Sequence, residues 1–295
     1  MSAAMSAARS AAPVIVLQGG CISAAVVDAV AAQAGAAEAR HASATLVRLY
    51  GMHDLPTRAV RERIARTADA ARVDCAFVAM PRPLTDFRLA VMDMDSTLIT
   101  IECIDEIADM QGIKPAVSAI TAAAMRGEID YPESLRRRVA LLKGLPVEAL
   151  QRVYDERLAL TPGVEAMLDA FRGAGLATLL VSGGFTFFTT RLSARLAIDR
   201  AFSNTLGIEG GRLSGTVEGA IIDGDAKRRA LLEACENIGA RPDQAIAIGD
   251  GANDLPMMGA AGISIAYRAK PVVRAQATHA INHNGLGAVA PLFFD

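Results

Sequence analysis

The chain has 295 residues, of which 52% are hydrophobic and 21% charged, and its formal net charge at pH 7 is -2. This composition excludes a mainly disordered chain and predicts a globular protein of about two domains. The near-neutral charge and an aromatic content of 4% without tryptophan argue against a nucleic-acid partner, which would require a cationic surface and exposed rings for stacking.

The N-terminal tail, residues 1–12, is rich in alanine and serine and lacks the apolar core of a secretory signal. We expect this tail to be disordered. The chain also lacks a run of about 20 apolar residues, so we expect no membrane association and a cytoplasmic location. The cysteines are far apart in the sequence and form no C-x-x-C pair, which predicts free thiols rather than a zinc site. They are Cys21, Cys75, Cys103 and Cys235.

A first unit, at 13–84, alternates strand and helix patterns. Prolines at 81 and 83 mark a linker after it, so we expect a small α+β domain here and a second domain at 85–295. Its predicted strands are 13–17, 45–50 and 75–80, and its predicted helices are 22–34 and 57–71.

The second unit alternates short, continuously apolar strands with helices, which is typical of a doubly wound α/β fold whose parallel sheet is covered on both faces. A helical stretch at about 101–160 follows the first strand directly, and we expect it to form a cap over the sheet edge. The predicted strands are 89–92, 176–181, 245–249, 263–267 and 279–282, with a hairpin at 205–219. The predicted helices are 163–174, 185–197, 226–238 and 253–259.

Three of these strands end in polar or glycine-rich tips, and the carboxyl ends of parallel strands meet in one crevice. The first tip, D-M-D-S-T, places Asp93 and Asp95 two residues apart, so that in extended backbone both carboxylates face the same way. Alone the motif also fits a loop rich in helix-capping residues. The third tip, G-D-G-A-N-D at 249–254, is much rarer by chance, and Asp250 offers the hard oxygen ligand that Mg²⁺ prefers.

The second tip, Ser182-Gly183-Gly184, precedes a helix, and backbone N–H groups in such a position favour phosphate. A simple turn explains it equally well in isolation. Lys227 begins a later helix; a lone lysine is ordinarily a solvated surface charge, but a phosphate pocket requires a fixed cation. No P-loop or dinucleotide-binding glycine motif is present.

Together these elements resemble the haloacid dehalogenase-like phosphohydrolases, in which the same four motifs follow in the same order. The resemblance covers about 88–295 and is closest to the members that hydrolyse O-phosphoserine in serine biosynthesis. It rests on Asp95-Ser96-Thr97-Leu98, Glu102, SLRRRVALLK at 134–143, VSGGF at 181–185 and GDGAND at 249–254.

The resemblance implies a magnesium-dependent hydrolase with an aspartyl-phosphate intermediate. Asp93 would be the nucleophile and Asp95 the general acid and then base. Mg²⁺ would be held by Asp93, by the backbone carbonyl of Asp95 and by Asp250.

The same resemblance implies how phosphate is bound. Ser182, the Gly183 N–H and Lys227 would contact its oxygens. Asn253 would border the substrate and water site, and Asp254 would orient Lys227.

Substrate specificity is expected from the cap. The resemblance implies that Glu102 meets the substrate ammonium and that Arg138 pairs with the carboxylate, a task suited to a bidentate guanidinium. Helical spacing places Arg138 beside the apolar face of its helix and the two preceding arginines in solvent. Met125 and Tyr131 match apolar positions that line the cap side of the pocket, although Tyr131 replaces the commoner phenylalanine.

The unit at 13–84 resembles an ACT-like regulatory module through its strand and helix alternation alone. It could sense serine, form a homodimer or serve as plain structural support. The alternatives for the whole chain are a phosphatase or phosphotransferase for another small phosphomonoester, such as phosphothreonine, and a non-catalytic serine sensor.

Overall fold

The computed structural model describes residues 12–294, which form two β-sheets with helices packed against them. All but the last residue of the tail predicted at 1–12 therefore lies outside the described residues. Within 12–294, no helix combines the length and apolarity needed to cross a bilayer.

The first sheet has the strand order β2-β3-β1-β4 with all pairs antiparallel, the ferredoxin-like arrangement of a βαββαβ chain. Helices α1 and α2 cover one of its faces through residues such as Val30 and Ile64. The unpredicted strand is β2, whose six residues are all exposed and show no apolar alternation. The elements are β1 (Val14–Gln18), α1 (Ala24–Ala34), β2 (Glu38–Ser43), β3 (Leu46–Tyr50), α2 (Arg58–Ala70) and β4 (Asp74–Val78).

The second sheet has seven strands in the order β11-β10-β9-β5-β6-β7-β8. All neighbours are parallel except β7 and β8, which form an antiparallel hairpin around Gly210 and Gly211, both at positive φ. The predicted doubly wound parallel sheet is confirmed, with one antiparallel edge. Its strands are β5 (Leu89–Met92), β6 (Ala177–Phe185), β7 (Arg200–Glu209), β8 (Arg212–Glu218), β9 (Ala245–Gly249), β10 (Ile263–Tyr267) and β11 (His279–Ile281).

Helices pack on both faces of this sheet, so its central strands β5 and β9 are buried along their whole length. These helices are α7 (Val164–Gly173), α8 (Thr186–Leu196), α9 (Gly224–Asn237), α10 (Leu255–Ala260) and α11 (Pro271–Arg274). Four further helices form the helical cap at 101–160: α3 (Cys103–Met110), α4 (Lys114–Met125), α5 (Tyr131–Ala140) and α6 (Glu148–Glu156).

The helical cap is attached to the sheet by its two linkers. The Thr100 backbone N–H donates to Ala159 O at 3.0 Å, and the Thr161 N–H donates to Leu98 O at 2.9 Å. A second attachment lies at the hairpin, where the Gly144 N–H donates to Leu213 O at 2.8 Å. Because the linkers leave and rejoin the body after β5, the cap lies beyond the carboxyl ends of the strands.

The two sheets are joined by a buried carboxylate. Asp74, at the start of β4, is 5% exposed. It accepts hydrogen bonds from the backbone N–H groups of Asn282 (2.7 Å), His283 (3.1 Å) and Asn284 (3.0 Å), and from Asn284 Nδ2 (2.7 Å). These donors directly follow β11, so one side chain of the first unit holds the turn after the last strand of the second.

Candidate active site

The three polar tips meet at one edge of the large sheet. β5 lies between β9 and β6, so the ends of these strands are neighbours. Asp93 follows β5, Asp250 follows β9, and Ser182–Gly184, here called the glycine loop, lies in the last part of β6. The convergence expected from the sequence is therefore observed.

Asp93 is buried, and its backbone N–H donates to Ile248 O at 3.0 Å, which continues the pairing of β5 with β9. Its Oδ1 lies 2.7 Å from Lys227 Nζ. Burial, followed by the charge of Asp254, raises the pKa of Asp93 well above its usual range, and Lys227 opposes this rise. The carboxylate thus needs cations near it to remain ionised.

Asp95 lies within an irregular turn at 94–98, although its own backbone is extended, with a φ of -64° and a ψ of 136°. The chain is extended at Asp93, but Ser96 adopts a φ of 55°, which reverses the direction of the chain. Extended backbone is therefore found at Asp93 and at Asp95, and the chain turns at Ser96. Asp95 Oδ1 accepts a hydrogen bond from the Cys103 backbone N–H at 3.1 Å, at the start of the helical cap. Burial and then the charge of Glu102 raise the pKa of Asp95 to about 7.

Three carboxylates form a cluster at the strand tips. One oxygen from each of Asp93, Asp250 and Asp254 lies within 4.8 Å of the others. Asp250 Oδ1 also accepts a hydrogen bond from Thr97 Oγ1 at 3.1 Å. Burial and then Asp254 raise the pKa of Asp250 to about 7. A hard divalent cation suits this all-oxygen set and would relieve the repulsion among its members.

Lys227 is fully buried, so it is not the surface charge that a lone lysine usually represents. Its Nζ lies 2.7 Å from both Asp93 Oδ1 and Asp254 Oδ1. Burial alone would lower the pKa of Lys227, but the two carboxylates outweigh it and raise the pKa. Asp254 Oδ2 accepts the backbone N–H groups of Asp250 (3.1 Å) and Gly251 (3.0 Å), which fixes the loop that carries Asp250.

The glycine loop is held by hydrogen bonds from several elements. Ser182 is buried, and its Oγ accepts from the Gly184 N–H at 2.8 Å. The Gly183 carbonyl accepts from Asn204 Nδ2 at 2.8 Å and from Tyr131 Oη at 3.1 Å. Asn204 was missed in the sequence because it lies in the hairpin region and belongs to no motif; its contact depends on the pairing of β6 with β7.

The cap residues are distributed around the opening of the cleft. Glu102 Oε1 accepts from Ser96 Oγ at 2.7 Å, which ties it to the turn that carries Asp95. Arg138 is half-buried, whereas the two arginines before it are exposed, as helical spacing predicts. Met125 is 66% exposed, and its Sδ lies 3.8 Å from Lys270 Nζ of the body.

Asn253 is half-buried and lies in the short turn that precedes α10. A side chain at Gly251 would overlap Asn253 Oδ1, and a Cβ at Gly224 would meet Asn253 O at 2.9 Å. Asn253 therefore lies between the Asp250 loop and the start of the helix that carries Lys227.

A cavity of about 310 Å³ lies beside Asp250. Besides Asp250, it is lined by the hydroxyl residues Ser96, Thr100 and Thr161, by Tyr267 and by the cations Arg268 and Lys270. The sequence reasoning did not select these two cations, because they follow β10 outside every recognised motif.

Comparison with known proteins agrees with this geometry. The sequence profile of the haloacid dehalogenase-like hydrolases matches residues 87–262. A curated phosphoserine phosphatase from Polaromonas sp. is 58% identical over 214 residues, which cover 71% of this chain and 91% of that protein. Two solved structures are also similar along the chain.

The first is a probable phosphoserine phosphatase from Vibrio cholerae in unliganded form. It is 35% identical, has a TM-score of 0.81, and the match covers 96% of this chain and 86% of that one. The second is described as a phospho-aspartyl intermediate analogue of phosphoserine phosphatase. It is 36% identical with a TM-score of 0.67, and the match covers 70% of this chain and 99% of that one.

Proposed function

The chain belongs to the haloacid dehalogenase-like hydrolases, and we propose that it is a magnesium-dependent phosphoserine phosphatase, which converts O-phosphoserine to serine and phosphate. The observation that carries this proposal is the buried Asp93, paired with Lys227 at 2.7 Å beside the glycine loop and Asp250. A carboxylate with a fixed cation beside a loop of backbone donors is equipped to attack a phosphoryl group.

We propose two successive displacements at phosphorus. A carboxylate oxygen of Asp93 attacks, the bond between phosphorus and the serine oxygen breaks, and Asp95 gives its proton to the leaving serine oxygen. Asp95 then takes a proton from water, whose oxygen attacks the phosphorus of the aspartyl phosphate and releases phosphate and free Asp93. A pKa of about 7 suits Asp95 to both proton transfers near neutral pH.

The residues present fit a bound Mg²⁺, which Asp93, the Asp95 carbonyl and Asp250 would hold. Bound there, Mg²⁺ would neutralise part of the phosphate charge. The cluster of carboxylate oxygens within 4.8 Å supports this assignment.

Phosphate binding would fall to Ser182, the Gly183 N–H and Lys227. Asp254 would keep Lys227 charged and in place, which its 2.7 Å contact supports. Asn253 would border the substrate and the attacking water.

Recognition of the amino-acid part would fall to the helical cap. Glu102 would meet the ammonium and Arg138 the carboxylate, while Met125 and Tyr131 would line the pocket. The half-buried position of Arg138 on the inner side of α5 supports its part in this proposal.

The decisive experiment measures phosphate release from O-phosphoserine with Mg²⁺. We expect Asp93→Asn to lower kcat/KM at least about 1,000-fold, because an amide cannot form the aspartyl phosphate. Asp28→Asn, an exposed carboxylate change on α1, is the control and should keep full activity. A chelator should abolish turnover and fresh Mg²⁺ should restore it.

A wild-type chain that prefers phosphothreonine or an aryl phosphate in the same assay would overturn the substrate assignment but not the chemistry. A chain without phosphatase activity that still binds serine would instead be the non-catalytic sensor.

We also propose that residues 13–84 form an ACT-like regulatory domain and 85–295 the phosphatase domain. The ferredoxin-like strand order supports the first assignment. Calorimetric measurement of serine binding to the purified full-length protein would test the assignment of the regulatory domain. The homodimer and the cytoplasmic location stay predictions.

A further inference from the structure

One hydrogen bond joins the helical cap to the glycine loop across the cleft. Tyr131 is the first residue of α5, and its hydroxyl donates to the Gly183 carbonyl at 3.1 Å. Among residues 12–294, no other hydrogen bond connects 101–160 with 182–185. The other polar contacts of the cap with the body lie at its linkers, at the β8 hairpin and at Met125, whose Sδ is 3.8 Å from Lys270 Nζ.

The local sequence fixes both partners of this bond. Asp130 caps α5, accepting from the Glu133 N–H at 2.8 Å, and Pro132 stiffens the first turn, so the position of Tyr131 is set by the start of the helix. On the other side, a Cβ at Gly183 would overlap the Tyr131 hydroxyl. Only glycine at this position allows the tyrosine to approach the backbone so closely.

The Gly183 carbonyl receives a second bond, from Asn204 Nδ2 at 2.8 Å. Asn204 is buried in the body, and its own Oδ1 accepts from the Ile222 N–H at 2.8 Å. The Asn204 bond depends only on the body, whereas the Tyr131 bond requires the cap to be seated. The two bonds thus hold the same carbonyl from opposite sides of the cleft.

The Tyr131 hydroxyl is suited to act as a permanent donor. Burial raises its pKa to about 12, so it keeps its proton at any physiological pH. Arg138 lies seven residues later on the same helix, two turns away and on the same face. Fixing the first turn of α5 therefore also fixes where Arg138 points.

We propose that Tyr131 is a positioning residue that seats the helical cap on the glycine loop. Its hydroxyl stabilises the closed arrangement, in which α5 presents Arg138 to a substrate whose phosphate lies at Gly183. A phenylalanine at this position would fill the same space but could not make the bond. This inference rests on the proposed function for its effect on substrate.

The test compares Tyr131→Phe with Tyr154→Phe in the full-length protein. Tyr154 lies on α6 of the same cap, and its hydroxyl has no hydrogen bond to the described residues. For Tyr131→Phe we expect KM for O-phosphoserine to rise about 3- to 10-fold with kcat within about twofold, the size of one neutral hydrogen bond. Tyr154→Phe should match the wild type.

Amide hydrogen exchange of α5 provides the second measurement. It is run without substrate, with Mg²⁺ and inorganic phosphate as the probe. Tyr131→Phe should speed exchange in α5 several-fold and leave the paired strands β5 and β9 unchanged. A merely structural role would lower the melting temperature without this local change or the KM effect.

Wild-type KM and wild-type exchange in Tyr131→Phe would overturn the proposal, as would equal effects in Tyr154→Phe. The exchange experiment does not require phosphoserine turnover. A wild-type chain inactive on phosphoserine would therefore refute the proposed function while the role of Tyr131 is still decided by exchange.

Discussion

Lys227 illustrates how a single residue balances the charge of this site. The side chain is fully buried between Asp93 and Asp254, each 2.7 Å away. An unpaired buried charge costs several kcal/mol, so removing any one of the three leaves an uncompensated partner. The same arrangement places a cation against Asp93 and opposes the rise in its pKa that burial causes.

Arg138 provides a residue-scale test of substrate recognition. We expect Arg138→Ala to lower kcat/KM for O-phosphoserine about 100-fold, because a carboxylate would lose its bidentate partner. Turnover of an aryl phosphate, which has no carboxylate, should fall less than about threefold. Arg137→Ala is the matched control, since Arg137 is exposed on the same helix and, within residues 12–294, pairs only with Glu133, at 2.7 Å. Equal losses on both substrates would make Arg138 a structural residue.

His279 predicts a dependence of stability on pH. It lies in β11, 7% exposed, and its Nδ1 has no partner among the described residues. Burial lowers its pKa from 6.5 to about 4. Between these values the unfolded chain binds a proton that the folded chain does not. The stability that depends on a neutral His279 is therefore fully present above pH 6.5 and is lost as the pH falls to about 4.

The expected loss through His279 is about 3 kcal/mol in the free energy of unfolding. Urea titrations at pH 4.5, 5.5 and 7 should show a steeper decline for the wild type than for His279→Gln, which carries no titratable group. Both proteins carry the same carboxylates, so comparing them at each pH removes the effect of carboxylate titration on the free energy of unfolding. Parallel curves would show that His279 does not titrate in this range.

At the scale of elements, continuous apolar runs were the most reliable guide. The bounds of β5, β9 and β10 were predicted without error, because these strands are buried on both faces and end at charged or polar residues. β6 runs four residues further than predicted, through the glycine loop to Phe185. Its extension depends on pairing with Asn204 of β7, which lies 19 residues later in the chain.

The start of α7 depends on a glycine for two separate reasons. Gly163 has a φ of 83°, and a Cβ there would overlap the backbone of Gly287. We expect Gly163→Ala to lower the free energy of unfolding by about 3 kcal/mol, combining backbone strain and overlap. Gly175→Ala is the control, since its φ is 78° but nothing lies within 4 Å. It should cost only about 1 kcal/mol in urea unfolding; equal costs would exclude the overlap.

At the scale of the whole molecule, Asp74 joins the two sheets. Its carboxylate accepts four donors from the turn after β11 at 2.7–3.1 Å. We expect Asp74→Asn to lower the free energy of unfolding by about 3 kcal/mol, because an amide places N–H groups against donors. Calorimetry should show a lower melting temperature, with Asp28→Asn unchanged. An unaffected melting temperature would mean that this junction adds no stability.

The sequence by itself determined the polar strand tips and the sheet that carries them. The tips at Asp93, Ser182 and Asp250 follow apolar strands, and the geometry of a parallel sheet requires such tips to meet. Short-range patterns also placed the helical cap and the inward side of α5 near Arg138. These features depend on residues close together in the chain, and local spacing is sufficient to find them.

Only the tertiary structure decided the contacts between distant segments. The turn at Ser96, the bond from Tyr131 to Gly183, the support from Asn204 and the junction at Asp74 leave no periodic signal. Each depends on a single polar atom meeting a partner across the fold, and such a meeting is set by packing rather than by propensity. The strand β2 was missed for the same reason, because pairing with β3 rather than apolar alternation defines it.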